Sequence, residues 1–250
     1  MSEEILTAMP PSADERVRYG AAPSQFADLR LPPGPGPHPV VVCIHGGFWR
    51  ARYDLVHLGH LCAALTANGF ATWSVEYRRL GEEGGGHPGS GEDIVAAVRT
   101  LRSMAGRWRL DLSRLVLLGH SAGGQLALWA ARELRPRGVV ALAPVADLAE
   151  ASRLGLSGGV ADEFVQGASF DQVSPAHRLP LGVPQWVLHG ANDADVPVSM
   201  SRAYVQAATA AGDRAVLLER AGEGHYEPID PRSAAFEAVL SSVREASGAA

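Results

Sequence analysis

The 250-residue chain has no lysine: all 22 of its basic residues are arginine. A Walker A phosphate loop, the ATP-binding lysine of kinases, Schiff-base chemistry and a Ser-Lys dyad all need that ammonium group, so these reaction classes are excluded. Cysteine is nearly absent too. Cys43 and Cys62 stand nineteen positions apart, with no CxxC and no matching histidine cluster, so both read as buried free thiols rather than a disulfide or structural zinc framework. The formal net charge is only −5 and like charges form no run, which argues against a nucleic-acid surface or a polybasic membrane anchor. No stretch approaches the roughly 18 consecutive apolar residues of a membrane-spanning helix. Met1 to Glu15 is acidic and polar, unlike a secretory leader, so a soluble cytoplasmic protein is expected. Aromatic residues make up 6% of the chain and its five tryptophans are scattered, which gives no stacking platform for bases or sugars.

What is present is enough apolar residue, 46%, to bury a full core within one domain of this length. Residues 1–18 read as a polar N-terminal segment and 19–250 as a single domain. Phe26 to Leu31 reads as a strand, followed by Pro32 to Pro39, where five prolines and two glycines force a turn. Val40 to Ile44 is a continuous apolar run of the kind found in parallel strands buried on both faces. From Leu58, the spacing of Leu61, Cys62 and Leu65 predicts a helix that Asn68-Gly69 stops. Ala71 to Tyr77 reads as a strand, 81–91 as a Gly-rich loop, Ile94 to Gly106 as helical and Leu115 to Leu118 as a short strand. A helix over 126–134, a strand over 139–142, an irregular stretch over 144–180, a strand over 185–189, a helix over 199–211, a strand over 215–219 and a helix over 233–246 complete the pattern. Strand and helix alternate throughout, so the expected fold is α/β, a doubly wound, mostly parallel sheet with helices on both faces. Residues 145–180 are the candidate for a small cap insertion.

Gly119-His120-Ser121-Ala122-Gly123 lies between the strand at 115–118 and a helix, which is the context a GxSxG nucleophile requires. Glycines on either side give room for a sharp strand-to-helix turn, and the helix N-terminus places backbone N–H groups where negative charge would develop. An acyl-transfer serine also needs an oxyanion hole, a base and a group that orients the base. His45-Gly46-Gly47-Phe48-Trp49 follows the Val40 to Ile44 strand, so the amides of Gly47 and Phe48, with that of Ala122, are the candidate oxyanion donors. Removing one such donor typically costs about 10²–10³ in rate. After the strand at 185–189, Gly190-Ala191-Asn192-Asp193-Ala194-Asp195 offers two carboxylates, either of which could orient a histidine. His225, in the loop after the last strand, is the candidate base, and the chain order Ser, Asp, His suits this arrangement.

Other residues carry less chemistry. His45 and His120 flank the site and read as braces for their loops, and His57 and His60 form an HxxH read as an exposed pair, since no third metal ligand is visible. Gly84 to Gly89 satisfies GxGxxG, but Pro88 breaks the turn and Glu82 and Glu83 would repel a pyrophosphate. It reads instead as a mobile loop near the substrate mouth. Trp49 could meet an aromatic substrate or pack in the core.

Together these motifs resemble the α/β-hydrolase superfamily over residues 19 to about 246. HGGFW at 45–49 with GHSAGG at 119–124 looks like the hormone-sensitive-lipase-like esterases and, more closely, the kynurenine formamidases and their bacterial relatives. Tyr19-Gly20, Pro23-Ser24-Gln25 and Asp28-Leu29 are similar to the lead-in of that group. The resemblance implies Ser121 as nucleophile, His225 as base and, because the spacing HGxxDxxVP falls on His189 to Pro197, Asp193 as acid. It implies two-step acyl transfer with no metal and no organic cofactor. No motif matches in 145–180, the region that shapes the substrate pockets in such relatives. Three functions follow: hydrolysis of small carboxylic esters, formamide hydrolysis on N-formylkynurenine-like substrates, or a non-catalytic binding module on a hydrolase scaffold. The expected partner is a small ester or amide, with no nucleic acid and no membrane, and with a homodimer left open.

Overall fold

The computed structural model describes residues 2–248. Eight strands form one sheet: β1 (Glu15–Arg18), β2 (Phe26–Arg30), β3 (His38–Ile44), β4 (Ala71–Val75), β5 (Leu110–His120), β6 (Gly138–Leu142), β7 (Gln185–Gly190) and β8 (Ala215–Arg220). Their order is β1-β2-β4-β3-β5-β6-β7-β8. The two pairings at the β1 edge are antiparallel. All the others are parallel. Parallel neighbours need crossover segments, and these supply the helices α1 (Gly59–Ala67), α2 (Gly89–Met104), α3 (Ala122–Leu134) and α7 (Val198–Ala210), while α8 (Phe236–Ser247) follows the last strand and packs back on the sheet.

Side-chain alternation on β3 sorts the apolar run into two cores. Val40, Val42 and Ile44 face the core that includes residues of α2, α3 and α7, while Val41 and Cys43 face the one formed with α1 and α8. Both faces of the central strands are thereby covered, and an unbroken apolar run satisfies that demand where a strict alternation would not. Cys43 and Cys62 are buried free thiols, as expected.

Several boundaries differ from the sequence reading. β5 starts at Leu110 rather than Leu115, because its partly exposed first residues pair with His38 and Pro39 ahead of a register shift in β3. α2 starts at Gly89, five residues early, and β4 ends at Val75, where Glu76 turns into a polar network described below. Residues before 19 also enter the body: Ile5 is buried in the α1/α8 core, and β1 pairs with β2 from Glu15↔Leu29 to Arg18↔Phe26. Between β6 and β7, the stretch expected as a cap folds into three short helices, α4 (Leu148–Arg153), α5 (Val160–Val165) and α6 (Phe170–Val173). Leu148, Val160, Phe164 and Val173 anchor them in the same core as α3.

The junction of β5 and α3 tolerates no side chain at Gly123. A Cβ there would lie 2.1 Å from the Ile44 carbonyl oxygen and 2.4 Å from that of His45, both backbone atoms at the end of β3. Gly123→Ala must therefore push α3 away from β3. We expect a loss of about 3 kcal/mol, seen in thermal unfolding as a Tm lower by about 6–12 °C. An unchanged Tm would show that this approach is not so close.

Candidate active site

Because β3, β5, β7 and β8 run parallel, their C-terminal ends share one edge of the sheet, and each sends a loop into the same space. β5 ends at His120, and Ser121 joins it to α3 with φ 55° and ψ −119°, in the left-handed half of φ space that a side-chain-bearing residue occupies only under strain. The surroundings hold this turn in place. Ser121 N–H donates to the Leu142 carbonyl at 2.8 Å, and the Ser121 carbonyl accepts from Gln125 at 3.1 Å and Val145 at 3.2 Å. The Ser121 hydroxyl oxygen is buried and has no hydrogen-bond partner among the described residues.

His225, in the loop after β8, donates from Nδ1 to Asp193 Oδ2 at 2.6 Å. That donation leaves Nε2 of the neutral ring as a proton acceptor. Asp193 is itself tightly held. Its Oδ1 accepts from the amides of Asp195 at 2.9 Å and Val196 at 2.8 Å, and its Oδ2 also lies 3.1 Å from His189 Nε2. Burial pushes the Asp193 carboxyl up, but hydrogen bonds from His189 and His225 outweigh it and hold the group well below the usual carboxylate range. Asp195, the alternative acid, makes no side-chain hydrogen bond to a histidine, and lines the cavity instead. His120 Nε2 meets the His225 carbonyl at 3.0 Å, and burial followed by the neighbouring His225 and His57 keeps its ring neutral well below the ordinary histidine range.

The loop after β3 turns through Gly47, Phe48 and Trp49, all at positive φ (104°, 49° and 56°). Among the described residues, the amides of Gly47, Phe48 and Ala122 donate to no backbone acceptor, which leaves these three N–H groups available. Glu76, at the end of β4, clamps both ends of this loop. It accepts from His45 Nε2 at 2.9 Å and from the Leu55 amide at 3.0 Å, and pairs with Arg79 at 3.0 Å. Burial raises the Glu76 carboxyl, but His45, Arg79 and the Leu55 amide more than offset it, so the group stays ionised below its ordinary range. His45 also stacks on Tyr77, with ring centroids 4.5 Å apart. His45 and His120 are braces, as their sequence positions suggested.

Three readings need correction. Trp49 does not line the cavity: it is fully buried, stacks on Phe164 at 4.2 Å and donates to Gln125 at 3.2 Å. These contacts seat the indole between Phe164 of the segment linking β6 to β7 and Gln125 of α3. Nor does the 81–91 loop border the cavity. It is pinned by Ser90 to the Arg78 carbonyl at 2.6 Å and by the His87 amide to the Phe164 carbonyl at 2.8 Å. Finally, His57 and His60 are not an exposed pair. His60 faces the Ala8 carbonyl at 3.3 Å, whereas His57 is buried and lines the cavity.

The cavity has a volume of about 360 Å³ and is lined by Gly47, Phe48, His57, Ser121, Asp195 and His225, among others. The sequence reading missed Arg52, Tyr53 and Tyr226 on its wall, and it missed Leu154 to Ser157, which close it from the segment between β6 and β7. Their only signal was position: Arg52, Tyr53 and Tyr226 follow strand ends that already carried a motif, and Leu154 to Ser157 lie in the stretch expected as a cap.

Residues 27–136 match the BD-FAE family model. Esterase LipC of Mycobacterium tuberculosis is 25% identical over 238 residues, 84% of this chain and 59% of the relative, so the chain spans about three-fifths of that protein's length. Among solved structures, esterase B from Lactobacillus rhamnosis superposes with a TM-score of 0.82 at 22% identity, over 99% of this chain and 90% of that one. A truncated carbohydrate esterase from gut microbiota gives 0.80 at 20% identity, over 96% of this chain and all of that one. The chain has the α/β-hydrolase fold. Within this fold, Ser121, Asp193 and His225 stand on the loops after β5, β7 and β8, which the sheet order brings to one edge. Among the described residues no helix is long and apolar enough to cross a membrane, and no cluster of three or more His, Cys, Asp or Glu is placed to hold a metal ion.

The buried His57 is held far from its ordinary range. Burial first, then the nearby His45, pushes it down to about 3, so it is neutral when the folded protein is near neutral pH. An unfolded chain protonates that histidine near pH 6.5, so stability is lost as pH falls through that value toward 3. From pH 7.5 to 5.5 this one group contributes a loss of about 1.4 kcal/mol. His57→Gln should therefore reduce the stability difference between those two pH values by about that amount in urea unfolding. An undiminished difference would mean that His57 is not the buried neutral group described.

Proposed function

We propose that the protein is a serine hydrolase that cleaves small carboxylic esters through an acyl-enzyme. The observation that carries this reading is the buried Ser121 hydroxyl, unpaired at a strained strand-to-helix turn, in the same cavity as a histidine whose other nitrogen is already committed to a buried aspartate. In this mechanism His225 Nε2 removes the Ser121 proton as Oγ attacks the ester carbonyl. The amides of Gly47, Phe48 and Ala122 receive the oxyanion. His225 then returns the proton to the leaving alcohol, and the acyl group stays on Ser121. A water deprotonated by the same histidine attacks the acyl-enzyme, releases the carboxylic acid and regenerates the serine. Asp193 fixes the His225 tautomer and stabilises the imidazolium formed in each half-reaction. The esterases among the relatives and structural neighbours support the same chemistry.

The formamidase reading rested on the HGGFW loop and the similar lead-in from Tyr19 to Leu29, and it would give Trp49 a substrate role. With Trp49 in the core, no residue on the cavity wall favours it. The non-catalytic reading would need a broken constellation, and the Asp193–His225 pair is intact.

The test is a pre-steady-state reaction with p-nitrophenyl acetate, followed by mass spectrometry of the trapped protein. We expect a burst of p-nitrophenol equivalent to the enzyme and one acetyl group on the peptide that contains Ser121. Acylation of another residue, or turnover with no Ser121 adduct under trapping conditions, would overturn the assignment.

A further inference from the structure

Three arginines surround the loop after β3, and two of them are neutralised. Arg50 pairs with Glu163 at 3.4 Å and donates to the Ser157 carbonyl at 3.3 Å. Arg79 pairs with Glu76 at 3.0 Å and Glu82 at 3.1 Å. Arg52 is different. Its side chain lines the cavity that holds Ser121, and among the described residues it has neither a carboxylate partner nor a hydrogen bond. Its guanidinium instead lies over the Tyr53 ring, 4.9 Å from the centroid. Tyr53 in turn presses on Gly47, where an added Cβ would lie 2.5 Å from the tyrosine Cβ. One aromatic side chain therefore separates this cation from the loop whose amides would receive the ester oxygen. The loop is fixed there, since Arg79 donates to the Tyr53 carbonyl.

The remaining charges on the wall do not cancel Arg52. His57 and His120 are neutral for the reasons given above. Asp195 lines the same cavity but forms no ion pair with Arg52. Its loop follows β7, three sheet positions from β3, so the roots of the two loops stand about 14 Å apart at the usual strand spacing. His225, which gains a proton during turnover, is on the Asp195 side and is compensated by Asp193. The cavity is thus polar along its length, with a permanent cation beside the oxyanion loop and an anion beside the acid loop.

Resting on the hydrolase reading, we propose that Arg52 is a specificity residue that selects esters carrying a second, negatively charged carboxylate. A guanidinium held over an aromatic ring keeps its planar N–H fork exposed for a carboxylate, which ammonium chemistry could not match in this lysine-free chain. Half-esters of dicarboxylic acids carry that charge on the acyl side, and esters of phenolic carboxylic acids carry it on the leaving group.

The experiment compares kcat/KM for two matched pairs. Monomethyl adipate against dimethyl adipate places the charge on the acyl side, and 3-acetoxybenzoate against 3-acetoxybenzamide places it on the leaving group. In the wild-type enzyme one pair should favour the anionic ester by about tenfold, and added salt should reduce the ratio. Arg52→Lys should keep part of that ratio, Arg52→Gln should abolish it and Arg52→Glu should invert it. Arg52 is exposed, so these variants should fold. A wild-type preference for the neutral ester in both pairs, or a ratio unchanged in Arg52→Gln, would overturn the proposal while leaving the hydrolase reading intact. No hydrolysis of any of the four esters, or equal hydrolysis by Ser121→Ala, would instead overturn the hydrolase reading itself.

Discussion

Ser121→Ala is expected to lower kcat for ester hydrolysis by about 10⁴–10⁶-fold while leaving the fold unchanged. The large value follows from the proposed mechanism, in which no acyl-enzyme forms without Oγ and His225 and Asp193 are left with no nucleophile to activate. Rate enhancement from the three amides and from substrate binding alone remains, typically about 10³–10⁴ over the uncatalysed reaction. Folding should survive because the Ser121 hydroxyl makes no hydrogen bond, whereas the backbone bonds that hold the turn belong to its N–H and carbonyl. The measurement is steady-state turnover of p-nitrophenyl butyrate beside a thermal melt. Retained activity with an unchanged melt would remove Ser121 from the chemistry.

Asp193→Asn should cost about 10⁴-fold in kcat, and the direction can be derived atom by atom. Asp193 Oδ1 accepts two backbone amides, from Asp195 and Val196, so the asparagine carbonyl oxygen must stay on that side. Its NH₂ group then occupies the place of Oδ2, facing His225 Nδ1 and His189 Nε2. Two donors cannot share that contact. His225 is driven to the tautomer with Nδ1 as acceptor and Nε2 protonated, which cannot take the serine proton. Asp195→Asn changes no bond to a histidine and is expected to lose at least about a hundredfold less than Asp193→Asn. The comparison is kcat for both variants over pH 6–9, and a larger loss in Asp195→Asn would move the orienting role to that residue.

Local patterns carried most of the sheet and much of the candidate site. The apolar run at 40–44 could only be satisfied by a strand covered on both faces, and Gly119 and Gly123 around Ser121 announced a turn that admits no side chain. Such features are read within one element, because they depend on backbone freedom and hydrophobic periodicity over a few residues. Asp193 was singled out over Asp195 only by the family resemblance of HGxxDxxVP, and the structure adds that its Oδ1 is bound by the amides two and three residues on.

What needed the tertiary structure was every role set by a distant neighbour. Trp49 reads equally well as a pocket wall or as core, and only its stacking on Phe164, from a segment more than a hundred residues on, decides for the core. His57 looked like a surface residue until the cavity placed it inside, and Glu76 gave no sign that it clamps a loop from another strand. Arg50, Arg52 and Arg79 are chemically identical in the sequence, but the fold supplies carboxylates to two of them and, among the described residues, none to the third. By itself, then, the sequence determined most of the alternation of strands and helices and named the candidate residues for acyl transfer. The pairing of charges and the lining of the cavity were decided by the sheet order, because burial and electrostatic partnership depend on three-dimensional distance, which no local pattern encodes.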